Sequence, residues 1–139
     1  MRVKKSERGL FKLPSIDIRY STADLREKFG LDPNRPTADG YGHHKSCEWF
    51  VQEVKSTDLD WAVEQVKSTI EQLKDRGEPV DKAFIIIRRK PRSAKYDIGR
   101  GGILYYKGSK RPVSVRGIVI RIVYEKEIRR DWEWRFFSA

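Results

Sequence analysis

Two ionisable residues stand where a sheet could put them to work. In the window Cys47-Glu48-Trp49-Phe50-Val51-Gln52-Glu53-Val54-Lys55, side chains of an extended chain alternate faces, so Trp49, Val51, Glu53 and Lys55 share one face. Glu53 and Lys55 then lie side by side, a carboxylate next to an ammonium. Read alone, that pair is a surface ion pair. Three neighbouring features give it more weight: the strand is largely apolar up to Glu53, a helical pattern follows it, and Asp39 lies upstream beside Gly40. The carboxyl end of a strand that feeds a crossover helix is where open α/β sheets bind ligands.

The elements that would position this pair are legible around it. From Thr57 to Arg76, Leu59, Ala62, Val63, Val66, Ile70 and Leu73 recur at steps of three and four, which predicts a helix capped by Thr57 or Asp58 and ended by Gly77 and Pro79. Ala83 to Ile87 is a continuous apolar, β-branched run, expected as a central strand covered on both faces. Strand, helix and buried strand form a crossover unit, so the two strands should be parallel and the fold α/β. A short helix is expected from Ser21 to Gly30, an ordered loop from Leu31 to Gly42, and a strand within Ile16 to Tyr20. Ile103 to Tyr106, Val113 to Val115, Ile118 to Tyr124 and Trp132 to Phe137 read as further strands, with a turn at Gly108 to Lys110.

Composition narrows the partners. The 139 residues contain 30 Lys and Arg against 20 Asp and Glu, a net charge of +10 that favours phosphate polyanions. Between Arg88 and Arg116 there are ten basic residues and one acid, Asp97, so this stretch carries +9 and the rest of the chain is nearly neutral. Arg88, Arg89, Lys90, Arg92, Lys95, Arg100, Lys107, Lys110 and Arg111 are the expected nucleic-acid contacts. Tyr96, Tyr105 and Tyr106 interleave with them, and Gly99, Gly101 and Gly102 would let backbone amides approach phosphates, as in a flexible arm.

The length suits a single domain, with no membrane-spanning run or export signal, and the lone Cys47 points to a reducing, cytoplasmic setting. One Asn, three Gln and one Met within a heavily charged chain suit a hot-adapted (thermophile) protein. His43, His44 and Cys47 fall short of a four-ligand zinc site, and adjacent histidines in an extended segment point apart.

Between Thr37 and Arg89 the sequence resembles the PD-(D/E)xK nuclease superfamily, the restriction-endonuclease-like group that includes archaeal Holliday junction resolvases and RecB-type nuclease domains. Ala38-Asp39-Gly40 stands in the place of the first element and Glu53-Val54-Lys55 in the place of the second, followed by the helix and the buried strand. The resemblance implies a mixed central sheet with a strand-helix-strand crossover and flanking helices. It also implies a Mg²⁺-dependent (or Mn²⁺-dependent) endonuclease acting on DNA ahead of RNA. Asp39, Glu53 and the main-chain carbonyl of Val54 would hold the metal, and Lys55 would orient or help deprotonate the attacking water.

Such oxygen ligands suit a hard divalent cation, which lowers the pKa of bound water and offsets charge building on the phosphate. Asp17 is a second candidate for the first acid, Glu27 for an auxiliary acid, and Gln65 for a site-facing polar residue on the crossover helix. Trp132, Trp134 and Phe136 would share one face of an extended segment, expected as packing or, if exposed, as the seam of a homodimer. The alternative to an enzyme is a non-catalytic nucleic-acid-binding protein or complex subunit that uses the same fold as a scaffold.

Overall fold

The computed structural model describes residues 7–55 and 58–137. Thr57, one of the two expected helix caps, lies outside the described residues. Strands β1 (Ile16–Ser21), β2 (Gly40–His44), β3 (Trp49–Lys55), β4 (Lys82–Ile87), β7 (Ser114–Val115) and β8 (Ile118–Tyr124) form one six-stranded sheet in the order β1-β2-β3-β4-β8-β7. The β1, β2 and β3 strands pair antiparallel, β3, β4 and β8 run parallel, and β7 returns antiparallel on β8. A separate two-stranded hairpin pairs β5 (Tyr96–Ile98) with β6 (Leu104–Tyr106). The helices are α1 (Thr22–Glu27), α2 (Leu59–Asp75) and α3 (Glu133–Phe136). The architecture is mixed α/β, as the crossover pattern predicts.

The longest helix behaves as its periodicity requires. Asp58 caps α2 by accepting from the Trp61 amide, 3.0 Å away, and Gly77 closes it in the left-handed conformation at φ 77°. Its buried face, including Leu59, Ala62, Val63, Val66, Ile70 and Leu73, covers one side of the sheet against Val51, Ile85 and Ile87. Phe50, Phe84, Ile86 and Val123 face the other way. They meet Leu10, Phe11 and Leu13 from the N-terminal segment, Phe136 at the end of α3 and Phe137 just after it. Strand β4 is therefore central and buried on both faces, as its unbroken apolar run predicts.

Three expectations need correction. The segment read as a loop through Gly42 becomes β2 from Gly40 onward. Its glycines are what allow the strand: a Cβ on Gly40 would overlap the Phe11 ring, and one on Gly42 would come within 2.8 Å of Phe50 Cζ. The C-terminal segment from Trp132 is a short helix rather than a strand. Phe136 and Phe137 turn into the core while Trp134 is exposed, so the extended face expected as a dimer seam does not form. The basic stretch is also less free than an arm, because Tyr96 and Leu104 of the β5–β6 hairpin are buried against the α2 side of the core.

Candidate active site at the carboxyl edge of the sheet

The pairing of β2 with β3 sets Gly40 opposite Gln52, so Asp39, one residue before, lies across from Glu53. Two hydrogen bonds fix the pair. The Asp39 amide donates to Glu53 Oε1 at 2.9 Å, and the Val54 amide donates to Asp39 Oδ2 at 2.8 Å. Each carboxylate is thus held by backbone beside the other. Glu53 is fully buried, whereas Asp39 is partly exposed.

Lys55 follows on the same face. Its Nζ lies 3.6 Å from Glu53 Oε2 and donates to Gln65 Oε1 at 3.0 Å, and Gln65 Nε2 donates in turn to the Thr37 carbonyl at 3.3 Å. The crossover helix therefore aims the lysine and fastens the segment carrying Asp39. A second stitch comes from Thr69 one turn further on: its hydroxyl accepts from the buried Ala38 amide at 2.8 Å and donates to the Gln65 carbonyl at 2.8 Å. Thr22 adds a third, donating to the Ala38 carbonyl at 2.8 Å.

The sequence does not mark Thr69, which reads there as one more residue of a helix. Thr69→Val keeps the shape and strands the Ala38 amide. The expected outcome is a loss of about 1–3 kcal/mol of stability in urea unfolding.

The other candidate acids lie elsewhere. Asp17 accepts from or shares a proton with His43 Nδ1 at 2.7 Å, near the opposite end of β2. His43 is level with Trp49, four residues short of Glu53, or about 13 Å along the sheet. That placement removes Asp17 as an alternative to Asp39. Glu27 is exposed on the last turn of α1 and makes no hydrogen bond or ion pair with Asp39, Glu53 or Lys55 among the described residues. Glu48 pairs with Lys82 at 3.0 Å. His44, on the opposite face from His43, bonds Glu133 at 3.2 Å and stacks on Phe137.

The hydrogen bond from His43 holds the Asp17 carboxyl below the usual carboxylate range. A depressed value means that this contribution to stability is present above the unfolded carboxyl value, about 3.9, and is lost as pH falls through the lowered folded value. Asp17→Asn is accordingly expected to melt slightly below the native protein at neutral pH and to match it near pH 2. Thermal scans at the two pH values measure the difference.

The basic stretch divides. Arg88, Arg89, Lys90, Arg92 and Lys95 are exposed and leave the sheet at the edge that carries Lys55, since Lys55 pairs in register with Ile87. A bridge between Asp58 and Arg92, and hydrogen bonds from Ser93 and Ala94 to Asp60, lay this run across the first turn of α2. Lys107 joins it by donating to the Ser93 carbonyl. Arg100, Lys110 and Arg111 are exposed around the β5–β6 hairpin, whose tip leans on β8 through the Ile103–Arg121 bridge. Arg116 pairs with Asp75 at the far end of α2. The charge expected as one arm over the site is thus split, with its first half at the site.

A cleft of about 280 Å³ opens at the same edge, lined by Arg8, Val54, Lys55, Ile86, Ile87, Arg88 and Glu125. Ile87 pairs with Tyr124, so Arg88 and Glu125, the next residues on parallel strands, come together as an ion pair at 2.6 Å. The sequence marks neither Arg8 nor Glu125: Glu125 is placed by the parallel pairing of β4 with β8, and Arg8 by the N-terminal segment, whose Arg8 carbonyl accepts from Gln52.

The described residues contain no group of three or more His, Cys, Asp and Glu side chains arranged for a metal. Two carboxylates are nonetheless a sufficient protein share for Mg²⁺, which keeps several waters and takes further ligands from substrate phosphate. Asp39 and Glu53 supply oxygen ligands of that chemistry, and two backbone hydrogen bonds hold them on facing positions of β2 and β3. Comparison with known protein families, with curated proteins and with solved structures finds no match to this chain. No helix among the described residues is long and apolar enough to cross a membrane.

Proposed function

We propose that this chain is a metal-dependent DNA endonuclease of the PD-(D/E)xK type, built on a restriction-endonuclease-like fold. The observation that carries the reading is the reciprocal backbone clamp on Asp39 and Glu53, with Lys55 and Gln65 immediately beside them. The mixed sheet supports the fold reading, because its strand-helix-strand crossover begins at Glu53-Val54-Lys55.

Asp39, Glu53 and the Val54 carbonyl would hold Mg²⁺ or Mn²⁺, which when bound supplies a Lewis acid and a more acidic water. Glu53 is pre-set, since its burial and its bond from the Asp39 amide leave it little freedom. Lys55 carries the positive charge: its hydrogen bond to Gln65 Oε1 directs the ammonium to orient water and to offset charge developing on the phosphate. Arg89, Lys90, Arg92 and Lys95 bind the flanking backbone phosphates as exposed cations.

The test is cleavage of branched, nicked, single-stranded and plasmid DNA with Mg²⁺ or Mn²⁺. Products that need the metal and disappear in both Glu53→Ala and Lys55→Ala support the nuclease. Undiminished binding with no cleavage of any substrate would replace it with the scaffold reading.

A further inference from the structure

Trp61 is 46% exposed, although it sits in the first turns of the helix whose next turn reaches the site. Residues four apart on a helix share a face, so Trp61 lies one turn from Gln65, the residue that bonds Lys55. Because α2 starts just after β3 ends, that turn carries Trp61 about 6 Å beyond Gln65, outward past the carboxyl edge of the sheet. Helical side chains also lean toward the N-terminus, which extends the indole further in that direction. The backbone of Arg92, whose side chain is exposed, is bridged to Asp58, the residue whose side chain caps the Trp61 amide.

An exposed indole, an exposed guanidinium and the Lys55 ammonium thus all belong to the end of the fold where β3 leads into α2. Buried in the core, the indole would need no ligand; placed half in water, it offers a planar apolar face at the end of the fold that also carries Lys55 and Arg92. Nucleic acid offers the complementary parts, a flat base attached to phosphates. In a regular duplex, however, the base faces are occupied by their neighbours. Only an unstacked base can use the indole.

We infer that Trp61 is a stacking platform for an unpaired base next to the phosphate bound at Lys55, so that the site selects strands with single-stranded or locally opened character. This rests on the nucleic-acid function proposed for the site and adds its substrate class. Trp61 would be a positioning residue, acting on the base and not on the reacting phosphate.

Binding is measured by anisotropy without divalent metal, using labelled oligo(dA) as a single strand and as its blunt duplex with oligo(dT). Trp61→Ala is expected to weaken single-strand binding about tenfold and duplex binding less than about twofold. Trp61→Phe, which keeps a ring, should retain most of the affinity. Single-strand binding should also quench the native tryptophan fluorescence, and that quenching should vanish in Trp61→Phe, where Trp49, Trp132 and Trp134 remain.

Equal weakening of both forms, no weakening of either, or quenching that persists in Trp61→Phe would overturn the stacking. Trp61-dependent binding with no metal-dependent cleavage would uphold it and remove the nuclease reading. Cleavage with Trp61-independent single-strand binding would do the reverse.

Discussion

Glu53→Gln is expected to abolish metal-dependent cleavage, by on the order of 10³-fold or more, while leaving the fold at least as stable as the native protein. The two halves of this expectation have different causes. Glutamine is isosteric and its amide oxygen can still accept the Asp39 amide, so the β2–β3 clamp survives. What is removed is a fully buried negative charge whose cationic neighbour, Lys55, is 3.6 Å away. Buried charges cost desolvation that an ion pair often fails to recover, and neutralising Glu53 does not strand a buried cation, because Lys55 is partly exposed and keeps its hydrogen bond to Gln65. A purely structural Glu53 would give the opposite pattern, with reduced stability. Urea unfolding of the two proteins, run beside a plasmid cleavage assay, separates the roles.

The second large effect concerns binding. Arg89, Lys90 and Arg92 are exposed on the run that crosses the first turn of α2, and none of the three has an acidic partner among the described residues. Arg88 differs, being committed to Glu125. Replacing Arg89, Lys90 and Arg92 together by Ala is expected to lower the slope of log affinity against log salt by about 3, one for each phosphate that is no longer neutralised. Affinity should fall most at low salt, and the native and variant curves should converge as salt rises. Arg100→Ala with Lys110→Ala, on the hairpin side, provides the comparison: those residues lie away from the acid pair, so a smaller change is expected there.

The parts of this site that the sequence reveals are those governed by local periodicity. Alternation along Trp49 to Lys55 puts Glu53 and Lys55 on one face, and that relation holds in the fold, whereas Gln65 is singled out only by the family resemblance and its bond to Lys55 is seen only in the fold. Asp39 is harder to place, because Gly40 and Gly42 look like loop residues. Their use as strand residues depends on the rings of Phe11 and Phe50 lying against them, one of which comes from a segment distant in sequence.

The same limit explains the other differences. Trp132 to Phe137 alternates as a strand would, but the buried Glu133, bonded to Ser15 and His44, and the inward turn of both phenylalanines impose a helix. Asp17 sits in a better strand by composition, yet only the register of β1 on β2 shows that it belongs to the wrong end of the sheet. The basic stretch reads as one block of charge along the chain. In space it is divided, because the β5–β6 hairpin buries Tyr96 and Leu104 and carries the later cations away.

Mn²⁺ titration followed by electron paramagnetic resonance tests the proposed divalent metal site at Asp39 and Glu53 without reference to any substrate. The native protein is expected to remove free Mn²⁺ signal as a single class of site per chain. Asp39→Asn and Glu53→Gln should each weaken that binding about tenfold or more, since even disturbing the groups that support a metal's ligands has an effect of that order. Mn²⁺ binding of equal strength in the native protein and both variants would contradict the account.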